Sequence, residues 1–509
     1  MRDNVMFLTL IRRELLANLM TFRFLVAMIV TLLLVVANTV VLIADYERRL
    51  INYDTAVKQH HQKFLKRART YSEMEGAILV DRPPNPLSIF NAGLDRRLGN
   101  SITVSHTCVP TLWDTKSHSA DNPFLNLFSS VDLVLIFQVI LSLLALLFAH
   151  DAIAGEREAG TLRLTMANPV SRPIILLAKY ISAMVCLILP VIMSLLLVLI
   201  LFSISGSILL NGDDWLRIGG LLLTSIIYLS VFYLIGLLIS VITRRTATAL
   251  TLSMVIWSTL VLIYPSLSVF AVNRLWQPPS QLEAAYREIE QIWEAFEREQ
   301  TDFLRNDSVE GENPNFNVPP SGSYGAYQIS DPITLKYFKV EKRHWTRIKP
   351  DSEPQIPHVK AYFQFSEPRR IRAAERTGQV RQKALDHVYV RKANMAKNLM
   401  RLSPAAMYDF ATEVWAGTDF HGIKGFITTT QQYRQTIIDY FYDKEAFSAR
   451  KWFSIDQGKV DWSDLPQFSY HRREIWTGMQ HASGDIACLL LINIVLFMTT
   501  FLIFVRQEV

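Results

Sequence analysis

The sequence predicts an all-α integral membrane protein with six transmembrane helices and a large, mainly helical extracytoplasmic domain between spans five and six. Three observations lead to this fold class. Half of the 509 residues are hydrophobic, and the chain contains six stretches of about 20 or more residues with almost no charge. Arg and Lys residues flank these stretches, as membrane insertion requires. The interval 273–483 is long enough for an independent domain.

The six apolar stretches set the boundaries of the predicted spans and of the parts between them. The spans are residues 22–44, 129–150, 174–204, 218–243, 246–272 and 484–505. The other parts are a cytoplasmic interfacial helix at 1–21, a first extracytoplasmic segment at 45–128, a cytoplasmic loop at 151–173, a short outer loop at 205–217 and the large extracytoplasmic domain at 273–483. Because Arg or Lys marks every short inner connection, we expect both termini to be cytoplasmic in a multi-pass protein of the cell inner (plasma) membrane.

Local patterns predict how the remaining parts fold. Residues 3–20 are amphipathic at helical spacing, which indicates a helix in the membrane interface. The apolar stretch that follows is too long for the core of a signal peptide, so we expect an uncleaved anchor. Another helix is predicted to begin at Pro404, because Ser403 suits an N-cap. Further helices are predicted at residues 280–306, 369–400 and 428–442.

The loop between spans two and three carries the most informative motif. It reads EREAGTL from Glu156 to Leu162, followed by NPVSR. The charged residues suit a helix, whereas Gly160 and the Asn168-Pro169 pair interrupt one, so a short helix followed by a turn is predicted. A charged helix between two spans is placed to contact a soluble partner. The alternative is an ordinary solvated loop.

This loop resembles the first cytoplasmic loop of ABC-2 type transporter permeases, in the subfamily with large extracytoplasmic insertions. The positions that match the family motif are Glu156, Glu158, Gly160, Thr161, Leu162, Pro169, Arg172 and Lys179. The resemblance implies a coupling helix that docks on the ATP-hydrolysing subunit of the transporter. The residues expected to couple to this ATPase are Glu156, Arg157, Glu158, Gly160, Thr161, Leu162, Arg163, Pro169 and Arg172.

The resemblance also implies individual roles for these residues. The four charged ones among them, at 156, 157, 158 and 163, are expected to be interface contacts, and Gly160 is expected to permit close approach to the partner. Residues expected to have a structural role at the inner membrane surface are Lys179, Arg12, Arg13, Arg244 and Arg245.

The sequence contains no motif for nucleotide hydrolysis or other catalysis. GxxxxGK[ST], HExxH, CxxC and GxSxG are absent, and the three cysteines are scattered. We therefore predict no catalytic residue, metal or cofactor in this chain, with ATP and Mg bound by the partner ATPase. Ionisable groups are almost absent from the span interiors, although an ion-coupled carrier normally places them there. The energy for transport is thus expected to come from the partner.

These observations predict a permease subunit that couples ATP hydrolysis to the export of a large amphipathic or apolar substrate. The expected partners are cytoplasmic ABC ATPase subunits, a second permease copy or a sister permease, the lipid membrane and an extracytoplasmic protein, but not nucleic acid. Two alternatives stay open. One is a non-transporting ABC complex that transmits movement to an extracytoplasmic partner. The other is an intramembrane enzyme, which would need a clustered acid, base or metal site.

Overall fold

The computed structural model describes residues 2–74, 77–116, 131–162, 172–275, 281–305, 324–325, 340–341 and 356–506. These residues form an all-α protein with very little sheet. Six of the helices are long and apolar enough to cross a membrane. The predicted all-α class and the six spans are confirmed.

The longer helices are labelled α1 to α13 in chain order. They are α1 (Arg2–Leu19), α2 (Phe22–Arg67), α3 (Leu133–Ile136 and Ser142–Ala149, joined by a π-helical turn at Phe137–Leu141), α4 (Ala154–Glu158), α5 (Arg172–Ser205), α6 (Gly212–Ile242), α7 (Thr246–Ser258 and Tyr264–Leu275, joined by a π-helical turn at Thr259–Ile263), α8 (Gln281–Arg305), α9 (Ile356–Leu385), α10 (Arg391–Met400), α11 (Pro404–Ala416), α12 (Phe420–Asp443) and α13 (Ile475–Arg506). The spans correspond to α2, α3, α5, α6, α7 and α13.

Helix α2 is twice as long as the predicted first span. It begins at Thr21, whose side-chain hydroxyl accepts a hydrogen bond from the Phe24 N–H at 3.3 Å. It then continues through the charged residues after position 44 and ends at Arg67. The first span and the start of the segment 45–128 are therefore one continuous helix.

A short β-ribbon follows α2, and the sequence did not predict it. Strand β1 (Ile78–Asp81) pairs antiparallel with β2 (Ser101–Val104), so that Ile78 lies opposite Val104. Strands of four residues give too little alternation to separate them from loop, and β1 precedes a proline-rich turn. A second ribbon joins β3 (Tyr324–Gly325) and β4 (Val340–Glu341).

Helix α6 is the centre of the span bundle and packs against α3, α11 and α13. Its small residues permit close approach: a Cβ at Gly236 would lie 2.6 Å from the Cβ of Ala149 in α3. The helices α7 and α13 bury much less of their apolar surface within the chain. A central helix with exposed neighbours leaves large apolar faces for lipid or a partner to cover.

The helices predicted between spans five and six are present. Helix α8 matches the predicted 280–306, and α9 and α10 cover the predicted 369–400. Ser403 caps α11, because its hydroxyl accepts from the Ala405 N–H at 3.1 Å, and Pro404 occupies the first turn. Helix α12 begins earlier than the predicted residue 428, since Asp419 caps it through the N–H groups of His421 and Gly422.

Helix α11 differs from the predicted arrangement because it packs among the spans. It is apolar on nearly all sides and lies between α6 and α13. The ring of Tyr408 stacks on Tyr228 of α6 at a centroid distance of 4.3 Å. Met407 packs against Val231, about three helical turns before the end of α6. With 13 residues, α11 is too short to be recognised as a span.

The π-helical turns of α3 and α7 border the first residue of α11. Ser403 donates from its hydroxyl to the Leu260 carbonyl in the turn of α7 at 2.6 Å. The Gln138 side chain, from the turn of α3, donates to the Ala405 carbonyl at 3.3 Å. The Ser403 hydroxyl thus provides a partner for a main-chain carbonyl in the turn of α7, and Gln138 in the turn of α3 holds the first turn of α11.

The bundle has two distinct ends. At one end, here the α4 end, Arg23 contacts Asp151 at 3.1 Å and Arg172 donates to the Val505 carbonyl at 2.7 Å. At the other, here the insert end, Ser207 donates to Glu47 at 2.8 Å. Because α1 and the end of α13 both lie at the α4 end, the two termini share one side.

Candidate functional site

Helix α4 is a short helix held at the end of α6. Its first N–H groups, those of Ile153 and Ala154, donate to the hydroxyl of Ser240 at 3.1 and 2.9 Å. Such a side-chain acceptor satisfies donors that the helix itself leaves free. The chain leaves α4 at Gly160, which has a φ of +73°. The predicted short helix is thus present and ends at the turn of Gly160, whereas the predicted interruption at Asn168 and Pro169 lies outside the described residues.

Two predicted coupling residues attach α4 to the connection between α6 and α7. Arg157 donates to the carbonyls of Val241 and Thr243 at 3.1 and 2.8 Å. Glu158 accepts from both the N–H and the hydroxyl of Thr246 at 2.9 and 2.7 Å. A carboxylate at the first turn of a helix, as Glu158 is for α7, is favoured by the helix dipole. These bonds make α4 rigid with respect to α6 and α7.

Lys179 joins three helices at the α4 end. Its side chain is 5% exposed and donates to Glu156 at 2.7 Å and to Glu14 at 3.2 Å. Glu156 belongs to α4, Glu14 to α1 and Lys179 to α5. A buried ammonium needs such partners, because an unpaired charge in a low-dielectric site is costly. The predicted structural residue Lys179 is therefore the centre of an ion triad.

A chain of polar contacts leads from the triad into the bundle. Tyr180, next to Lys179, hydrogen-bonds the hydroxyl of Ser230 in α6 at 2.7 Å. Ser230 donates to the Asn493 side chain in α13 at 2.5 Å, and Asn493 donates to the Ile227 carbonyl at 3.1 Å. Polar groups inside a span are kept only where neighbouring helices satisfy them. The contacts connect α5, α6 and α13 near the middle of α6.

The other predicted residues differ in exposure. Gly160 and Thr161 are exposed, as is the neighbouring Ala159, and so are the four predicted structural arginines at 12, 13, 244 and 245. Leu162 is 1% exposed and belongs to the span core. Nothing lies within 4 Å of a Cβ built on Gly160, so its positive φ is what requires glycine within this chain. Arg163 and Pro169 lie outside the described residues.

Sequence reasoning missed three residues of this site. Glu14, Ser240 and Thr246 contact α4 or Lys179, yet none belongs to the motif. Glu14 is one charge in an amphipathic stretch, and its partner is 165 residues away. In the sequence, Ser240 is only one of several small residues of the fourth span that would permit helix packing. Thr246 follows Arg245 at the start of a span, which is a place where a helix needs a cap.

The arrangement combines an exposed surface with hydrogen bonds and ion pairs to neighbouring helices. In the described ranges, no three His, Cys, Asp or Glu side chains are grouped to hold a metal ion. The site has a small exposed surface from Ala159 to Thr161, and the exposed arginines at 244 and 245 belong to the same end of the bundle. Behind this surface, Glu156 is paired with the buried Lys179.

Comparison with curated proteins gives no match. The sequence model of one protein family, described as ABC-2 family transporter protein, matches residues 8–509. The match takes in all six spans, α4 and the whole interval between spans five and six. The chain therefore belongs to the ABC-2 family of transporter proteins and is a permease of an ABC transporter.

Proposed function

We propose that this permease couples ATP hydrolysis by separate cytoplasmic ATPase subunits to the export of a large amphipathic or apolar substrate. The observation that carries the proposal is the triad of Lys179, Glu156 and Glu14. A partner that moves α4 also moves Glu156, and through Lys179 it moves α5 and α1. One contact at the surface thereby reaches three helices.

The bonds behind α4 provide a second route for the movement. Arg157 and Ser240 attach α4 to the end of α6, and Glu158 attaches it to the start of α7. From α5, the contact of Tyr180 with Ser230 continues to α13. Packed helices linked by hydrogen bonds shift as units. Displacement of α4 would therefore change the packing of every span in contact with α6.

The exposed surface at the α4 end suits a soluble protein partner. Ala159, Gly160 and Thr161 have no bulky side chain that would hold a partner at a distance. The exposed arginines at 12, 13, 244 and 245 give the surrounding surface a positive charge. A partner with acidic groups around its docking cleft would be attracted to it. The same arginines favour a cytoplasmic position for this end and for both termini.

The span surfaces support the substrate class and a second permease subunit. Exposed leucine, isoleucine, valine and phenylalanine side chains cover the outer faces of α2, α7 and α13. Of the described span residues, ionisable ones lie mainly toward the helix ends, as Lys179 and Asp485 do. A path between such faces suits an apolar or amphipathic molecule rather than a small ion. A second copy or a sister permease would cover part of them.

Copurification tests the proposal. The tagged chain is purified in detergent from its own cells, and the bound proteins are identified by mass spectrometry and assayed for ATP hydrolysis. We expect a stoichiometric ATPase, lost in the variant Ala159→Trp, which places an indole on the exposed end of α4. Ala284→Trp, at an exposed position of α8, is the matched control and should retain the ATPase. Purification of the chain without any ATPase would refute the proposal.

The packing of α11 favours a second candidate function, in which the complex transmits movement to an extracytoplasmic partner without transport. Helix α11 belongs to the interval between spans five and six and is packed directly on α6 and α13. Movement of these spans would therefore reach the large insert. Reconstitution separates the two functions: ATP-dependent loss of a fluorescent phospholipid or lipopeptide from proteoliposomes supports export. ATP hydrolysis with no movement of such amphiphiles supports transmission.

A further inference from the structure

A cavity of about 460 Å³ opens at the insert end of the bundle. It lies between the continuation of α2, the proline-rich turn after β1, the loop before α6 and the extended residues before α13. Its volume is within the range of pockets that hold small molecules or headgroups, roughly 300–1,000 Å³. The ATPase-docking surface is at the opposite end.

Positive charge prevails in the cavity wall. Four arginines line it, at positions 82, 217, 472 and 473, against two aspartates at 213 and 214. Arg472 is paired with Asp214, and Arg82 is paired behind the wall with Asp95 at 2.6 Å. Within the part of the chain that the structure describes, Arg217 and Arg473 have no carboxylate partner within ion-pair distance.

Arg217 is a buried charge that the chain leaves partly unsatisfied. It is 3% exposed, and its two terminal nitrogens donate to the main-chain carbonyls of Trp415 and Arg473 at 3.3 and 2.6 Å. Its Nε has no hydrogen-bond partner, nor has the Nε of Arg82, which is also buried. Arg82 and Arg217 are buried guanidinium groups that line one cavity, and Arg217 has no carboxylate within ion-pair distance in the described residues. Positive charge in this position favours an anionic ligand.

The remaining wall is mixed and lies at the level of the membrane surface. Leu50, Leu209 and three prolines are its apolar part, and the polar side chains are Tyr46, Asn85, Ser207, Asn211, Tyr470 and His471. Leu209 is 82% exposed at the mouth, and Trp215 is 54% exposed one turn into α6. Exposed tryptophan beside the end of a span marks the interface between headgroups and acyl chains. An anion that enters here can carry an apolar tail into the surrounding membrane.

We propose that this cavity binds the anionic headgroup of an amphiphile from the membrane leaflet at the insert end. The chemistry recognised is a phosphate ester, with Arg217 and Arg473 as binding residues and Arg472 as a positioning residue held by Asp214. The tail lies along Leu209 toward the membrane. The site belongs to this chain alone, so it does not depend on the proposed ATPase coupling and is tested without it.

Titration calorimetry on the purified full-length chain in a neutral detergent tests the site. The probes are dihexanoyl phosphatidylglycerol, dihexanoyl phosphatidylcholine and inorganic phosphate. We expect saturable binding of the phosphatidylglycerol at least roughly tenfold tighter than that of the other two. The arginines repel the choline ammonium of phosphatidylcholine, and inorganic phosphate lacks the apolar tail that lies along Leu209. Arg473→Glu and Arg217→Gln should each weaken it at least roughly tenfold. Arg298→Gln, an exposed arginine of α8, is the control and should bind as the unaltered chain does.

Several results would overturn the proposal. Equal binding of the zwitterionic lipid would show that the arginines do not select charge. Inorganic phosphate binding as tightly as the lipid would show a site for a free anion rather than an amphiphile. Arg217→Gln removes two bonds to main-chain carbonyls, so the exposed Arg473 supplies the variant whose fold is not at risk. Full affinity in Arg473→Glu, with an unchanged melting temperature, would exclude this cavity as the site.

Discussion

The two ends of the span bundle hold their charges differently. At the insert end, Asp95 is 1% exposed and lies between Arg82 and Arg49 at 2.6 and 3.0 Å. At the α4 end, the carboxylates that hold Lys179 remain 21% and 24% exposed. Both ends thus contain a buried shared partner, Asp95 or Lys179. Asp95 also has a buried counter-charge, because Arg82 is 6% exposed, whereas water reaches both carboxylates of Lys179.

The difference in enclosure predicts a difference in mechanical behaviour. In a fully buried pair, separation leaves an uncompensated charge in a low dielectric, so the arrangement is fixed. In a pair that water reaches, the carboxylates rehydrate when the pair opens, so rearrangement costs little. We infer that the insert end is a rigid platform for the segments 45–128 and 273–483. The α4 end is adjustable, as the proposed coupling to a moving partner requires.

The largest effect is expected from Asp95→Asn. Burial by itself raises the pKa of Asp95, but the charges and hydrogen bonds of Arg82 and Arg49 outweigh it and hold the pKa below its ordinary value. Loss of the carboxylate leaves the buried Arg82 without its ion-pair partner, whereas Arg49 keeps Asp45 at 3.1 Å. The free energy of unfolding should fall by roughly 3–5 kcal/mol, measured by chemical denaturation in detergent micelles at neutral pH.

The control for this variant is Asp213→Asn, which removes an exposed carboxylate from the same end. Its effect should be within about 0.5 kcal/mol. Because the folded pKa of Asp95 is lowered, its contribution is present at neutral pH and is lost as the pH falls through that pKa. Similar losses for the two variants would contradict the rigid character of the insert end.

A smaller effect is expected where α11 joins the platform. A Cβ at Gly220 would overlap the indole of Trp415, so Gly220→Ala forces α11 away from α6. Overpacking of this kind costs about 2 kcal/mol, which a shift of the thermal midpoint would report. Gly219→Ala is the matched control one residue earlier, with nothing within 4 Å of the new methyl group. Equal midpoints for the two variants would show that α11 is not closely packed on α6.

The fold was more predictable than the contacts that complete it. Six apolar stretches predicted six helices, and the Ser403-Pro404 pair predicted the start of α11, because both signals are local. The position of α11 among the spans had no local signal, since it depends on contacts such as that of Tyr408 with Tyr228. The β-ribbon was missed for the same reason: its pairing joins residues 20 to 26 positions apart.

The candidate site shows the same limit. The motif located α4 and Lys179, and the structure brings Glu156 and Lys179 together. It gave no indication of Glu14 or Ser240, whose partners lie far away in the chain. A sequence motif records the residues that a loop carries, whereas the partners that hold the loop are distributed over other helices. The sequence did not predict that the arginines at 82, 217, 472 and 473 line one cavity, because no helical spacing brings two of them together.

At the α4 end, Lys179→Met should lower stability by only about 1 kcal/mol, because both carboxylates are partly exposed and regain water. If the proposed coupling holds, ATP-dependent transport should nevertheless be strongly reduced, since α4 is then no longer tied to α1 and α5. Lys179→Arg retains the charge and should restore part of the activity. The measurements are the thermal midpoint and transport in proteoliposomes. A stability loss as large as that of Asp95→Asn would remove the distinction between the two ends.

The smallest effect is expected from Asp132→Asn, in the region between the platform and the second span. Asp132 accepts hydrogen bonds from the N–H groups of Ala92 and Leu135 at 3.0 and 2.8 Å. Burial nevertheless raises its pKa to about 6, with Asp409 adding to the rise and Arg96 opposing it. An unfolded chain has a pKa of about 3.9 at such a residue.

The folded chain therefore binds this proton more tightly than the unfolded chain does, and the contribution of Asp132 to the free energy of unfolding increases as the pH falls from 7 toward 4. Asp132→Asn should remove that contribution. We expect the difference in thermal midpoint between the unaltered chain and the variant to shift in favour of the unaltered chain between pH 7 and pH 5. The comparison of one difference at two pH values cancels the titration of groups common to both proteins. If this difference in thermal midpoint is the same at pH 7 and pH 5, Asp132 remains ionised in the folded chain. Water would then reach this part of the insert end, as it reaches the carboxylates at the α4 end.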